Sequence, residues 1–143
     1  MPNWCKNRVD FYSENKEDLN KVLDIFSNKE SIFGQIIPEP NWKTTPNKDG
    51  ELPVDGEYPY PPHFPKSGQT DDRWYNWRLA NWDTKWEADV TGFEVQDYDT
   101  LEIEFQTAWS PPEGVVRKLR EKFPDVTFQC FYDEPGCEIA GYY

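Results

Sequence analysis

The sequence predicts an α+β domain, and three observations carry that expectation. Strand-like alternation of apolar and polar residues occurs near both ends of the chain, helical apolar spacing lies between, and the two kinds of signal follow one another along the chain. At 143 residues the chain is read as one domain, 1–143, long enough to bury a core without disulfide or metal staples.

The elements follow in order. "NRVDFYSEN" alternates Val9 and Phe11 with Asp10 and Tyr12, which is the period of a half-buried strand. In "SENKEDLNKVLDIFSNK" the residues Leu19, Val22, Leu23 and Phe26 recur at helical spacing, with Ser13 or Asn15 placed to cap the first turn. "SIFGQIIPEP" is a short β-branched run stopped by Pro38 and Pro40, read as a second strand or its edge. From about 41 to 70 the chain becomes proline-rich and loses periodicity. A stretch that long without regular structure is uncommon inside a compact domain, so it is read as an insertion pinned to the surface by Trp42, Tyr58, Tyr60 and Phe64.

A helix is predicted from Asp71 to about Trp86. On it Trp74, Tyr75, Trp77, Leu79, Trp82 and Trp86 fall within an arc of about 200°, read mainly as core, with Arg78 and Lys85 at the rim as cation–π partners. "TLEIEFQTAW" places Leu101, Ile103 and Phe105 on one face and Glu102, Glu104 and Gln106 on the other. "SPPEGVVRKLREKF" predicts a helix with Ser110 as cap and Pro111 at its first position. "DVTFQCFYDEPGCEIAGYY" predicts a strand, a turn at Pro135-Gly136 and a last strand. The sum is a ferredoxin-like arrangement of β-α-β units on an antiparallel sheet.

Charge narrows the function. Asp and Glu number 27 against 15 Lys and Arg, a formal net charge of -12. Too few cations are present to replace the counterions of a phosphate backbone, and the same acidity opposes docking on anionic lipid. No direct nucleic-acid partner and no membrane are therefore expected. Cys5, Cys130 and Cys137 form no C-x-x-C pair and His63 is the single histidine, so neither a disulfide framework, a zinc site nor a cofactor is indicated. A cytoplasmic protein with reduced thiols is the expectation.

Catalytic groups are sparse. A Cys5–His63 nucleophile pair and the carboxylates Glu102 and Glu104 are the two arrangements with reactive residue types, and the bland readings, a buried thiol and a solvated strand face, weigh more. Asp49, Glu51, Asp55 and Glu57 lack the ligand pattern of a calcium loop. Between Asp83 and Glu104 eight acids stand against Lys85 alone, a run that makes a negative field. Arg117, Lys118, Arg120 and Lys122 complement the dipole at the end of the last helix.

Five segments, "MPNWCKNRV", "IIPEP", "YNWRLANWDTKWEA", "FQTAWSPP" and "YDEPG", resemble in sequence and order the YubB ferredoxin-like domain family, found in bacteriophages, plasmids and related mobile elements. The resemblance implies a ferredoxin-like fold and transfers no activity; it marks only positions: Asn3, Trp4, Cys5 and Asn7; Asn81, Trp82, Thr84, Lys85 and Trp86; and Thr107 to Pro112. Where the family motif typically has glycine this chain has Asp83, one of the less costly residues for a left-handed backbone.

The leading expectation is a non-enzymatic, phage-type accessory protein that binds a host or phage protein. Its surface would comprise Arg78, Trp82, Lys85, Trp86, Trp109 and, from the proline-rich segment, Tyr58, Tyr60 and Phe64. The alternatives are an acidic nucleic-acid mimic, presenting Asp97, Asp99, Glu102 and Glu104 to a host defence or replication enzyme, and a small enzyme using Cys5 and His63 or the carboxylate pair.

Overall fold

In the computed structural model, which describes residues 3–56, 61–97 and 99–143, the elements run β1 (Trp4–Tyr12), α1 (Lys16–Ser27), α2 (Phe33–Ile36), α3 (Arg73–Asn81), β2 (Asp89–Asp97), β3 (Thr100–Ala108), α4 (Glu113–Lys122), β4 (Thr127–Glu134) and β5 (Ile139–Tyr142). The five strands form one sheet in the order β2-β3-β1-β4-β5, every pairing antiparallel. This is the ferredoxin-like α+β fold, with β5 added beside β4.

Alternation places the core. Along β1 the residues Cys5, Asn7, Val9 and Phe11 are buried while Trp4, Lys6, Arg8 and Tyr12 are exposed. Val9 and Phe11 join Ile103 and Phe105 of β3, Phe128 of β4, Leu19, Val22 and Phe26 of α1, and Val115, Val116 and Leu119 of α4. The helices therefore cover one face of the sheet, and the other faces solvent. Asn15 caps α1 by accepting the backbone N–H groups of Glu17 and Asp18 at 3.1 and 3.3 Å, while Ser13 accepts the Asn15 N–H and donates to the Asp125 carbonyl.

Three elements differ from expectation. The run at 31–40 is not a strand but the short helix α2, whose Phe33 and Ile36 enter the core. The cause lies far along the chain: Glu87 accepts the N–H groups of Ile32, Phe33 and Gly34 and the Ser31 hydroxyl, which satisfies the open N-terminal turn. Helix α3 stops at Asn81 and does not reach Trp86, because Asp83 holds φ 65°, a left-handed residue of the kind that ends helices. None of its residues is fully buried; the core indole is Trp82, at 1% exposure just past the helix end. Strand β2 is the third, in a stretch for which the sequence predicted no element; its apolar alternation is broken by register shifts at Val90/Gly92 and Val95/Asp97.

Helix α4 begins at Glu113, two residues after Pro111, and Ser110 does not cap it. The Ser110 hydroxyl donates instead to the Asp83 carbonyl. The Asp83 carboxylate accepts the Gly114 N–H at 2.7 Å, and Thr84 donates to the Ala108 carbonyl at 2.9 Å. The turn after α3 is thus riveted to the end of β3 and the start of α4.

Candidate functional site

The aromatic surplus gathers where α3, the 37–46 segment and the 82–86 turn meet. Glu39, held between Pro38 and Pro40, accepts Nε of Arg78 at 2.5 Å and Nη2 at 3.3 Å, and also the Trp42 indole N–H at 3.0 Å. Arg78 in turn donates to the Lys85 carbonyl at 3.1 Å. Its guanidinium carbon sits 5.3 Å from the Trp74 ring centre and 4.8 Å from that of Trp82. One charged pair therefore fixes three indoles and a turn, and the guanidinium is suited to stacking over aromatic faces.

A second arginine performs the same task for the proline-rich side. Arg73 pairs with Asp71 through Nε at 2.9 Å and Nη2 at 3.1 Å, and donates to the carbonyls of Trp42, Thr45 and Pro46. Its guanidinium lies 5.0 Å from the Trp42 ring and 5.2 Å from the Phe64 ring. The hydrogen bonds from Arg73 hold the Asp71 carboxyl below its ordinary range, against the opposing effect of burial.

Between these two clamps runs an open groove of about 540 Å³, walled by Pro40, Trp42, Pro61, Pro62, Trp74 and Trp86, with Arg78 at its side. Lys85 lies over the Trp86 ring at 4.5 Å, and the ring of Trp4 stands 5.9 Å from it. Trp109, half exposed at φ 69°, follows Ala108, the β3 partner of Trp4.

The expected surface residues divide accordingly. Arg78 and Trp86 line the groove and Lys85 supports it, while Trp109 is exposed at the end of β3. Trp82 does not belong to a contact surface: it is sealed between Phe33 and Trp77, and its indole N–H is spent on the Ile37 carbonyl. Phe64 is also buried, beneath Arg73. Tyr58 and Tyr60 lie outside the described residues. The residue that sequence reasoning passed over is Glu39; its signal was an acid flanked by two prolines, which stiffen the backbone on either side.

The acidic run disperses. Asp83 and Glu87 are consumed as helix caps. Asp97 ends β2 and Asp99 lies in the turn that follows. Glu102 and Glu104 stand on the uncovered face, Glu102 between Glu94 of β2 and Asp10 of β1. Partial burial, then the neighbouring Asp10, Glu104 and Glu94 carboxylates, raise the Glu102 carboxyl above its ordinary value. Among the described residues no cluster of His, Cys, Asp and Glu is arranged to hold a metal ion, and no helix is long and apolar enough to cross a membrane.

Cys5 is fully buried and desolvation pushes its thiol up to about 11; Cys130, buried on β4, is pushed up to about 12. A nucleophilic cysteine needs the opposite shift. His63 sits in isolated bridges to Val54 and Thr70 within the proline-rich segment. Asn7 donates to Thr107 at 2.9 Å and accepts the Tyr143 hydroxyl at 2.8 Å, a polar knot in the floor of the core. Cys137 alone of the thiols is exposed.

Strand order and one-sided helix packing define a ferredoxin-like domain. Residues 81–143 match the sequence profile of a family described as a ferredoxin-like domain in Api92-like protein. The match takes in β2 to β5, α4 and Trp86, whereas Glu39, Trp42, Trp74 and Arg78 precede it. No curated protein and no solved structure gives a significant match.

Proposed function

We propose that the chain is a non-enzymatic accessory protein of the kind carried by phages and plasmids, and that the groove beside α3 grips a segment of a host or phage protein. The observation that carries this reading is the preassembled wall of Trp42, Trp74 and Trp86, each indole fixed by a neighbouring cation or carboxylate before any partner arrives. Tryptophan and arginine dominate binding energy at protein interfaces, and rings held in advance lose little entropy on binding. Proline and indole surfaces together suit a weakly charged, extended segment. The sequence resemblance to the YubB family supports the mobile-element setting.

The test pairs capture with stability. Trp74→Ala/Trp86→Ala is expected to unfold cooperatively, within about 2 kcal/mol of the parent because neither ring is in the core, and to lose the partners that the parent recovers from bacterial lysate. Equal recovery by parent and variant would refute the groove as the binding surface.

A second reading, imitation of a nucleic-acid backbone, is supported by the row of Glu94, Glu102 and Asp10 across three adjacent strands. It requires that binding of a host enzyme weaken with salt and compete with DNA or RNA. Glu102→Gln/Glu104→Gln bound with unchanged affinity removes it.

A further inference from the structure

Strand β2 is the outer strand of the sheet, with β3 as its single neighbour. Its other edge makes no backbone hydrogen bond among the described residues. A hollow flanks this edge on each face. On the helix side a cavity of about 500 Å³ separates β2 from the loop after α1, with Phe26, Ile32, Val90 and Phe93 as its apolar lining. Val95 continues the apolar strip and is 68% exposed. On the uncovered face a smaller hollow of about 110 Å³ lies over Gly92, bordered by Glu94, Glu102 and Glu104. Gly92 adds no side chain to this hollow, and Glu94 and Glu104 beside it are exposed.

We propose that this edge receives an extended segment of a partner protein as a sixth strand, its apolar residues packing on Phe93 and Val95 and a lysine or arginine reaching over Gly92 to the carboxylates. Strand addition uses main-chain hydrogen bonds for affinity and alternate side chains for specificity, and the two hollows present that alternation, apolar on one face and anionic on the other. Charge complementarity selects the occupant. Asp89, Glu94 and Asp97 on β2 and Glu102 and Glu104 on β3 stand against Lys29, which lines the helix-side hollow, and Arg8, the β1 partner of Glu104. A second copy laid along β2 would set acids against acids, which destabilises cross-strand pairing. The two register shifts and the acids are devices that keep an edge from pairing with itself; toward a basic segment the same charges attract. The crowding that raises the Glu102 carboxyl is relieved when a cation enters.

The experiment titrates the isotope-labelled full chain with the peptide Lys-Ile-Lys-Val-Lys-Ile-Lys, with a peptide of the same composition in which the lysines form one block, and with spermine. The alternating peptide is expected to shift amides of β2 and of residues 27–32, to slow exchange of the β2 amides that do not bond to β3, and to bind at least about tenfold tighter than the block peptide. Glu94→Gln/Glu104→Gln is expected to weaken it about tenfold, and so is raising salt to about 0.5 M. Trp74→Ala/Trp86→Ala is expected to leave it unchanged, which separates this edge from the groove. Equal binding of the block peptide or spermine, shifts centred on the groove, or no binding up to about 1 mM would overturn the proposal. So would self-association of the chain alone that Val95→Lys abolishes, since a second copy would then own the edge.

Discussion

Asp83 closes one helix and opens the next: its backbone turns left-handed at φ 65° after α3, and its carboxylate accepts the Gly114 N–H in the first turn of α4. The two roles separate by substitution. Asp83→Asn keeps both and is expected to be nearly neutral. Asp83→Gly loses a cap worth about 1 kcal/mol but relieves a left-handed backbone that costs a residue with Cβ about 1 kcal/mol, so its net effect is small. Asp83→Ala loses the cap and keeps the strain, a destabilisation of about 1–2 kcal/mol. Denaturant unfolding of the three variants reads the order; alanine ranking with glycine would contradict the left-handed turn.

Glu87 latches α2 across more than fifty residues of sequence. Removing it leaves buried N–H groups without an acceptor, and Glu87→Ala is expected to cost about 2–3 kcal/mol. Amide exchange at Phe33 and Gly34 should accelerate more than exchange in β1, because the loss is local to α2. Uniform acceleration would place the carboxylate's effect elsewhere.

Glu102 supplies a pH test with a definite sign. Its folded-state value is raised, so the protonated form is favoured in the fold, and the associated stability is present at low pH and lost as pH rises through the raised value. At neutral pH Glu102→Gln should therefore be more stable than the parent, by up to about 0.5 kcal/mol given its exposure. The gain should vanish below pH 4.5, its ordinary value. Paired melting curves across that window decide it.

Asp71 runs the other way. Arg73 lowers its carboxyl, so the stability it contributes is present above the ordinary value of 3.8 and is lost as pH falls through the lowered one. Asp71→Asn should destabilise at neutral pH by about 1 kcal/mol and converge with the parent in acid. Because Arg73 also grips the 42–46 carbonyls, protease cleavage between 42 and 56 should quicken in the variant at neutral pH.

Those tests bear on the parts of the molecule that sequence conveyed least. Strands β1 and β3 and helices α1 and α4 were legible because one face of each is buried, so period and burial coincide. The α2 helix was not, since its stabilising carboxylate is Glu87 and no local pattern announces a cap so distant. Strand β2 was hidden by its register shifts and by Gly92, which break the alternation. The tryptophan stripe misled for a related reason: Asp83 ends α3 before Trp82 and Trp86, so an arc drawn through all the indoles assumes a helix that stops short. The groove's aromatic members were readable from composition, but Glu39, which joins Arg78 to Trp42, owes its role to tertiary placement.

The placement of the thiols makes the chain its own labelling reagent. Cys5 and Cys130 are sealed in the sheet, while Cys137 stands in the turn before β5. A maleimide dye or nitroxide added to the native protein will therefore settle at one position, with no cysteine removed beforehand. The neighbouring Glu134 carboxylate raises the Cys137 thiol, so the reaction will quicken as the pH rises, and a second or third equivalent taken up will report the sheet coming apart.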